Sequence, residues 1–179
     1  RVLRECAEDL TSVRDGGVVL QGILRRTRTL LGVDMAYLSV NDLESGETHI
    51  AETVGVETEE YRTIRMPLGT GILGTVAAGN APTQTRDYLA DPDMNHLPGI
   101  DAIVRGEGVR SIAGAPVRVG GRVVAALLVA HRVCTAFPDE TVAALVDLAA
   151  QAGVAYEHLR IRNEASRLRT VLSRTMSST

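Results

Sequence analysis

Apolar positions change their spacing along this chain, and the changes divide it into elements. Residues 1–10 carry Val2, Leu3, Cys6 and Leu10 at helical spacing, and Asp15-Gly16-Gly17 then punctuates. Val18, Val19, Ile23, Leu24, Thr27, Leu30 and Leu31 follow steps of three and four, which predicts a second helix stopped by Gly32. The period then shortens to two. Met35–Asp42 and a segment around His49–Val54 read as strands joined by the turn Glu44-Ser45-Gly46. A helical turn over Glu57–Arg62 and a short strand over Ile64–Leu68 come next. Gly69-Thr70-Gly71 opens a short helix, Ile72–Ala78, closed by Gly79-Asn80. Thr83–Thr85 fits a strand, Asp87–Gly99 a polar loop, and Ile100–Arg105 a helix stopped by Gly106 and Gly108. Ser111–Val119 and Arg122–His131 flank Gly120-Gly121, a two-residue hairpin signal. Both are apolar on both faces, as strands in the middle of a covered sheet are. Pro138-Asp139-Glu140 starts a last helix that runs to about Leu172. The order describes an α+β domain with a helical layer on each face of an antiparallel sheet.

Composition removes several function classes. The 179 residues suffice for one domain and its core, and 45% hydrophobic content excludes a disordered chain. No apolar run approaches the roughly 18 residues of a membrane span, so no membrane association is expected. Net charge is −3 and every basic residue is Arg. The densest basic cluster, Arg25, Arg26 and Arg28, reads as a solvated helix face. With no Trp and a single Phe, the chain lacks the aromatic platform of a nucleic-acid binder, and direct contact with nucleic acid is not expected. Two distant cysteines, Cys6 and Cys134, point to a reducing compartment, so the expected localisation is cytoplasmic.

Enzyme signatures are missing too. There is no GxSxG, no CxxC and no metal-like spacing among His49, His96, His131 and His158. Gly69-x-Gly71-x-x-Gly74 matches GxGxxG, but its antiparallel setting and short helix do not suit a dinucleotide site. Amide groups at that helix start could instead face an anion.

Three segments together resemble the GAF family over residues 15–160. They are Met66-Pro67-Leu68-Gly69-Thr70-Gly71-Ile72-Leu73-Gly74-Thr75-Val76, Arg110-Ser111-Ile112-Ala113-Gly114-Ala115-Pro116-Val117, and Gly121-Arg122-Val123-Val124-Ala125-Ala126-Leu127-Leu128-Val129-Ala130. Ala125 stands where the family pattern usually has Gly. The resemblance implies a six-stranded antiparallel sheet, terminal helices on one face, and short helices and loops closing a small-molecule pocket on the other. The insert Asp91–Gly108 looks like GAF domains placed ahead of helix-turn-helix modules in actinobacterial PucR-type transcriptional regulators.

With the Leu128 face taken as the ligand side, the candidate pocket draws on Tyr37 and Ser39 from the first strand. Thr85, Asp87 and Tyr88 border the loop, and Ile72, Val76, Ile100, Ile103, Val104 and Ile112 supply apolar walls. A filled core without ligand is the alternative. No cofactor is expected. Haem held by His96 is the competing version, although relatives that bind haem place their His nearer Ser111–Pro116. The residues that hold bilins, cyclic nucleotides or methionine sulfoxide in other members are absent.

Val142, Leu145, Ala149, Ala152, Tyr156 and Leu159 form a heptad seam on the last helix, interrupted by Asn163 and resumed at Leu168, Val171 and Leu172. Leu145, Ala149, Ala152, Tyr156 and Leu159 are therefore the expected dimer and signalling positions, with covering of the sheet as the alternative for 142–156. The domain is expected over 1–160, with 161–179 extending the helix toward an output module. The expected function is a non-catalytic small-molecule sensor of a bacterial transcriptional regulator, homodimeric, reaching DNA only through another module. A haem- or redox-sensing domain of a histidine kinase is the competing function.

Overall fold

The computed structural model describes the backbone of residues 2–177 and the side chains of residues 16–177. Side-chain expectations for Val2, Leu3, Cys6 and Leu10 lie outside that range. The elements are α1 (Val2–Leu31), β1 (Met35–Asp42), β2 (Glu47–Val54), α2 (Glu59–Arg62), β3 (Arg65–Pro67), α3 (Gly71–Ala78), β4 (Thr83–Thr85), α4 (Pro98–Glu107), β5 (Ser111–Val119), β6 (Arg122–His131) and α5 (Asp139–Met176). A single 3-10 turn, Tyr88–Ala90, sits between β4 and α4.

The strands form one antiparallel sheet in the order β3-β2-β1-β6-β5-β4. β6 lies at its centre, as two-sided apolarity requires, and Tyr37 pairs with Leu128 across the β1–β6 join. Gly120 and Gly121 both have positive φ, 58° and 78°, so the β5–β6 turn twists with its strands.

Alternation splits the core in two. On the front, Met35, Tyr37, Ala126, Leu128 and Ala130 face α3 and the α2 and α4 segments. On the back, Ala36, Leu38, Ala125, Leu127 and Val129 face α1 and α5.

The break expected at Asp15-Gly16-Gly17 does not occur: α1 is one 30-residue helix. The glycine pair has a packing reason instead. A Cβ on Gly16 would stand 3.1 Å from Leu159 of α5, so the missing side chain lets the two helices approach. Arg26 donates to Gln151 further along the same contact, which makes the pair antiparallel. A second close approach seats α5 on the sheet, where a Cβ on Gly153 would fall 2.6 Å from the Arg118 carbonyl oxygen.

These contacts decide the fate of the expected seam. Leu145, Ala149 and Ala152 are buried in the back core of their own chain, and Tyr156 and Leu159 line the groove between α1 and α5 with Gly16, Gly17 and Leu20. The seam is thus used within the chain, because its apolar positions are those facing the small-residue strands β5 and β6. A different line stays exposed. Val154, Ile161 and Leu168 repeat every seven residues and are 69%, 50% and 63% exposed.

Gly153→Ala is expected to lower stability by about 1–3 kcal/mol through overpacking, although Ala favours a helix. Gly22→Ala, in open space on α1, is expected to raise it by about 0.5–1 kcal/mol. Urea unfolding of the two variants checks the opposite signs.

Candidate functional site

The front core is nearly filled. A small cavity of about 20 Å³, room for about one water, is lined by Tyr37, Ile50, Tyr61, Ile64, Met66, Ile72, Leu73, Tyr88, Ile100, Val104 and Ile112. Each wall has a local cause. β1 and β5 contribute Tyr37 and Ile112 from their inward positions. β2 contributes Ile50. The amide N–H of Ile50 donates to the Ile64 carbonyl, drawing Ile64 and Met66 alongside it. Thr58 caps α2 by accepting from the Tyr61 N–H, and this turn aims Tyr61 inward from among Glu59, Glu60 and Arg62.

The lid is the segment 87–99 with α4. The Gly71 N–H donates to the Asn95 carbonyl and the Asn95 side chain returns a bond to the Gly69 carbonyl. One of the exposed amides expected at the start of α3 is therefore already taken by this chain.

Of the twelve candidate pocket residues, Tyr37, Ile72, Tyr88, Ile100, Val104 and Ile112 surround the cavity. Val76 and Leu128 belong to the same core but do not line the space. α3 presses on β5 at Gly114, whose missing Cβ would meet Val76 at 2.9 Å and Leu128 at 3.0 Å, and this contact closes the volume there. Ile103 packs against the core from α4. Ser39 is buried with an unpaired hydroxyl, outside the lining. Thr85 donates to Asp91 at 2.6 Å, and Asp87 accepts two bonds from Arg110 at 3.1 and 2.8 Å, so both hold the lid rather than face the cavity. Those bonds hold the Asp91 and Asp87 carboxyls below the usual range.

Ile50, Tyr61, Ile64, Met66 and Leu73 were missed. Composition carried a signal for Tyr61: the chain has only four Tyr and one Phe, and an aromatic amid charges marks an inward position. Alternation at Ile64 and Met66 was a second signal.

Three tyrosines give the cavity its polar groups. The Tyr61 hydroxyl donates to the Tyr37 hydroxyl at 2.9 Å, with their rings edge to face. The Tyr88 hydroxyl is buried and its neighbour is the Asp101 carboxylate of α4. Burial pushes all three hydroxyls up: Tyr88, which also feels the Asp101 carboxylate, to about 12, and Tyr37 and Tyr61 well above their ordinary value. They remain neutral hydrogen-bond donors at any physiological pH.

Two polar anchors hold the walls. Glu107, with a fully buried side chain, accepts from the Glu57 and Thr58 N–H groups at 2.7 and 2.8 Å and from Arg132 at 2.7 Å. Burial works to raise its pKa, but these bonds outweigh it and hold the carboxyl below the usual range. His96 places Nδ1 3.0 Å from Asp101 and Nε2 2.7 Å from the Asp91 carbonyl, with its ring 5.0 Å from that of Tyr88. Both partners are acceptors, so only the doubly protonated ring satisfies both, and the Asp101 bond raises the His96 pKa. With both nitrogens engaged, this His is not presented to an iron. Among the described residues no group of three or more His, Cys, Asp or Glu could hold a metal ion, and no helix is long and apolar enough to cross a membrane.

The sequence profile of the GAF domain matches residues 15–156. The chain belongs to the GAF domain family. Solved structures agree on the fold. The GAF domain of a phosphoenolpyruvate-protein phosphotransferase from Coxiella burnetii superposes with a TM-score of 0.72 at 22% identity, covering 91% of this chain and 95% of that one. A domain of a putative two-component sensor histidine kinase from Sinorhizobium meliloti gives 0.66 at 18%, covering 83% and 94%. The free methionine-R-sulfoxide reductase of Neisseria meningitidis, solved with its substrate, gives 0.66 at 20%, covering 82% and 81%. No curated protein matches. GAF domains are small-molecule-binding signalling modules of sensor kinases and other regulators, generally non-catalytic, and the reductase is a neighbour of the same fold that is an enzyme.

Protonated His96 ties the lid to α4, so its contribution is complete below the unfolded His pKa near 6.5. It is lost as pH rises through the higher folded value. Hydrogen exchange across residues 87–99 should therefore quicken with pH beyond its intrinsic rise, and His96→Gln should abolish that component. Glu107→Ala should cost about 2–4 kcal/mol in urea unfolding, because Arg132 and two amides lose their acceptor.

Proposed function

We propose that this chain is a non-catalytic small-molecule-sensing domain of a bacterial transcriptional regulator, cytoplasmic, whose state is read through α5. The observation that carries the reading is the small front cavity, with apolar walls and buried tyrosine hydroxyls, beneath a lid segment that polar contacts fasten to the rest of the domain. Its lining contains no Cys, Ser, His or carboxylate to act as nucleophile or base, which favours sensing over catalysis. Cys134 is exposed and lies outside the cavity. The PucR-like character of 91–108 supports the transcriptional setting. DNA would be contacted by another module.

The likeness to the Sinorhizobium meliloti kinase domain favours a second setting, at the head of a histidine kinase. Either use requires α5 to carry information. At 38 residues it is about 57 Å long, and from Arg160 onward none of its described residues is buried. The homodimer expected from the sequence would use the outward line Val154, Ile161 and Leu168, which keeps a seven-residue repeat and has no cover in this chain.

Methyl NMR of the full chain with a fragment library tests the sensor. At least one fragment should shift the methyl signals of Ile50, Ile64 and Ile112; a library with no effect on them overturns the reading. In light scattering the chain should have twice its monomer mass, and Ile161→Glu with Leu168→Glu should halve it.

A further inference from the structure

The charges of α5 are sorted along its length. Residues 139–157 carry Asp139, Glu140, Asp147 and Glu157 and no Arg. Residues 158–176 carry Arg160, Arg162, Arg167, Arg169 and Arg174 against a single acid, Glu164, which Arg160 already engages at 3.3 Å. An acidic half is thus joined to a basic half of the same length.

The sorting continues around the helix. Leu145, Ala152 and Leu159 recur every seven residues and face the rest of their own chain. Two positions on, about 200° round the helix, runs a second line of Glu140, Asp147, Val154, Ile161, Leu168 and Thr175. Every member of this line is exposed. It is acidic at its start and apolar from Val154 to Leu168. Arg160, Arg167 and Arg174 directly precede Ile161, Leu168 and Thr175, so a basic row runs beside the second half of the line.

Such a line can meet a second copy of itself in two ways. In parallel pairing each position faces its own copy. Glu140 then meets the partner's Glu140, Asp147 meets the partner's Asp147, and the two basic rows lie together. Like charges placed this way repel, and they select against that arrangement. Antiparallel pairing centred between Glu157 and His158 joins unlike halves instead. Val154 then lies beside the partner's Ile161. Asp147 lies between the partner's Arg167 and the partner's Arg169, and Glu140 lies next to the partner's Arg174. The arrangement is two-fold symmetric, so each contact is made twice.

Resting on the homodimer reading above, we infer that a second copy docks antiparallel on the outward face of α5, the basic half of each helix lying on the acidic half of the other. The apolar stretch Val154–Leu168 supplies the centre of the interface, and the charges fix its direction. The two C-terminal ends of α5 are then held far apart rather than side by side.

Double electron–electron resonance on the full chain, with Cys6→Ser, Cys134→Ser and a single spin label, reads the direction. A label on Thr175→Cys should lie about 50 Å from its copy, because 35 residues separate Thr175 from Glu140, the position opposite it, at about 1.5 Å each. A label on His158→Cys, near the centre, should lie close to its copy in either direction. Raising NaCl from about 0.05 to about 0.5 M should weaken the dimer severalfold, because the attraction between unlike halves is screened. Close labels at both positions, or a dimer that tightens with salt, overturn the antiparallel inference and leave the homodimer standing. No coupling at either position overturns both.

Discussion

β5 and β6 are buried on both faces at once, and the two helical layers are fitted to that fact. Ala113, Ala115 and Ala125 on the back, and Gly114 and Ala126 on the front, keep these strands thin. Thin strands let α5 settle on the back through Gly153 and let α3 press on the front through Gly114. Large side chains at those places would push both layers away. The same close contact explains why the open volume is off-centre. α3 fills the space above Leu128, and the small cavity is left toward β2, β3 and α2.

The resulting site has rigid and movable walls. Tyr37 and Ile112 stand on paired strands of the central sheet. Tyr88, Ile100 and Val104 stand on the lid segment, which is tied to the rest by Asn95, His96, Arg110 and Asp91. The same segment also buries Tyr88 and Val104 in the front core, with Leu89, Met94, Ile100 and Ile103 packed against it.

Much of the fold was legible in the chain. Hydrophobic patterning placed β1, β5 and β6 with the observed bounds, because β1 buries its first half and β5 and β6 bury most of their length on both faces. The continuity of α1 was not legible. Gly16 and Gly17 read locally as a stop, and only Leu159, far along the chain, gives Gly16 another use. The heptad on α5 was real, and Leu145, Ala149 and Ala152 cover the sheet, the alternative the pattern had left open, since a repeat records that a face is covered and not by what. Half of the candidate pocket came from hydrophobic positions visible in the pattern. The rest lay in segments too short to show a period, and Tyr61 was hidden by the charges around it. The links from His96 to Asp101 and from Glu107 to Arg132 span five and 25 positions and carry no periodic mark.

The Glu107–Arg132 clamp has a mechanical meaning. Glu107 ends α4, it grips the backbone that leads into α2, and its guanidinium partner directly follows β6. A wall of the cavity that carries Tyr61, a wall that carries Val104, and the root of the segment running to Asp139 are thus bolted to one carboxylate. The cavity walls and the strand end that leads toward α5 therefore meet at one buried carboxylate.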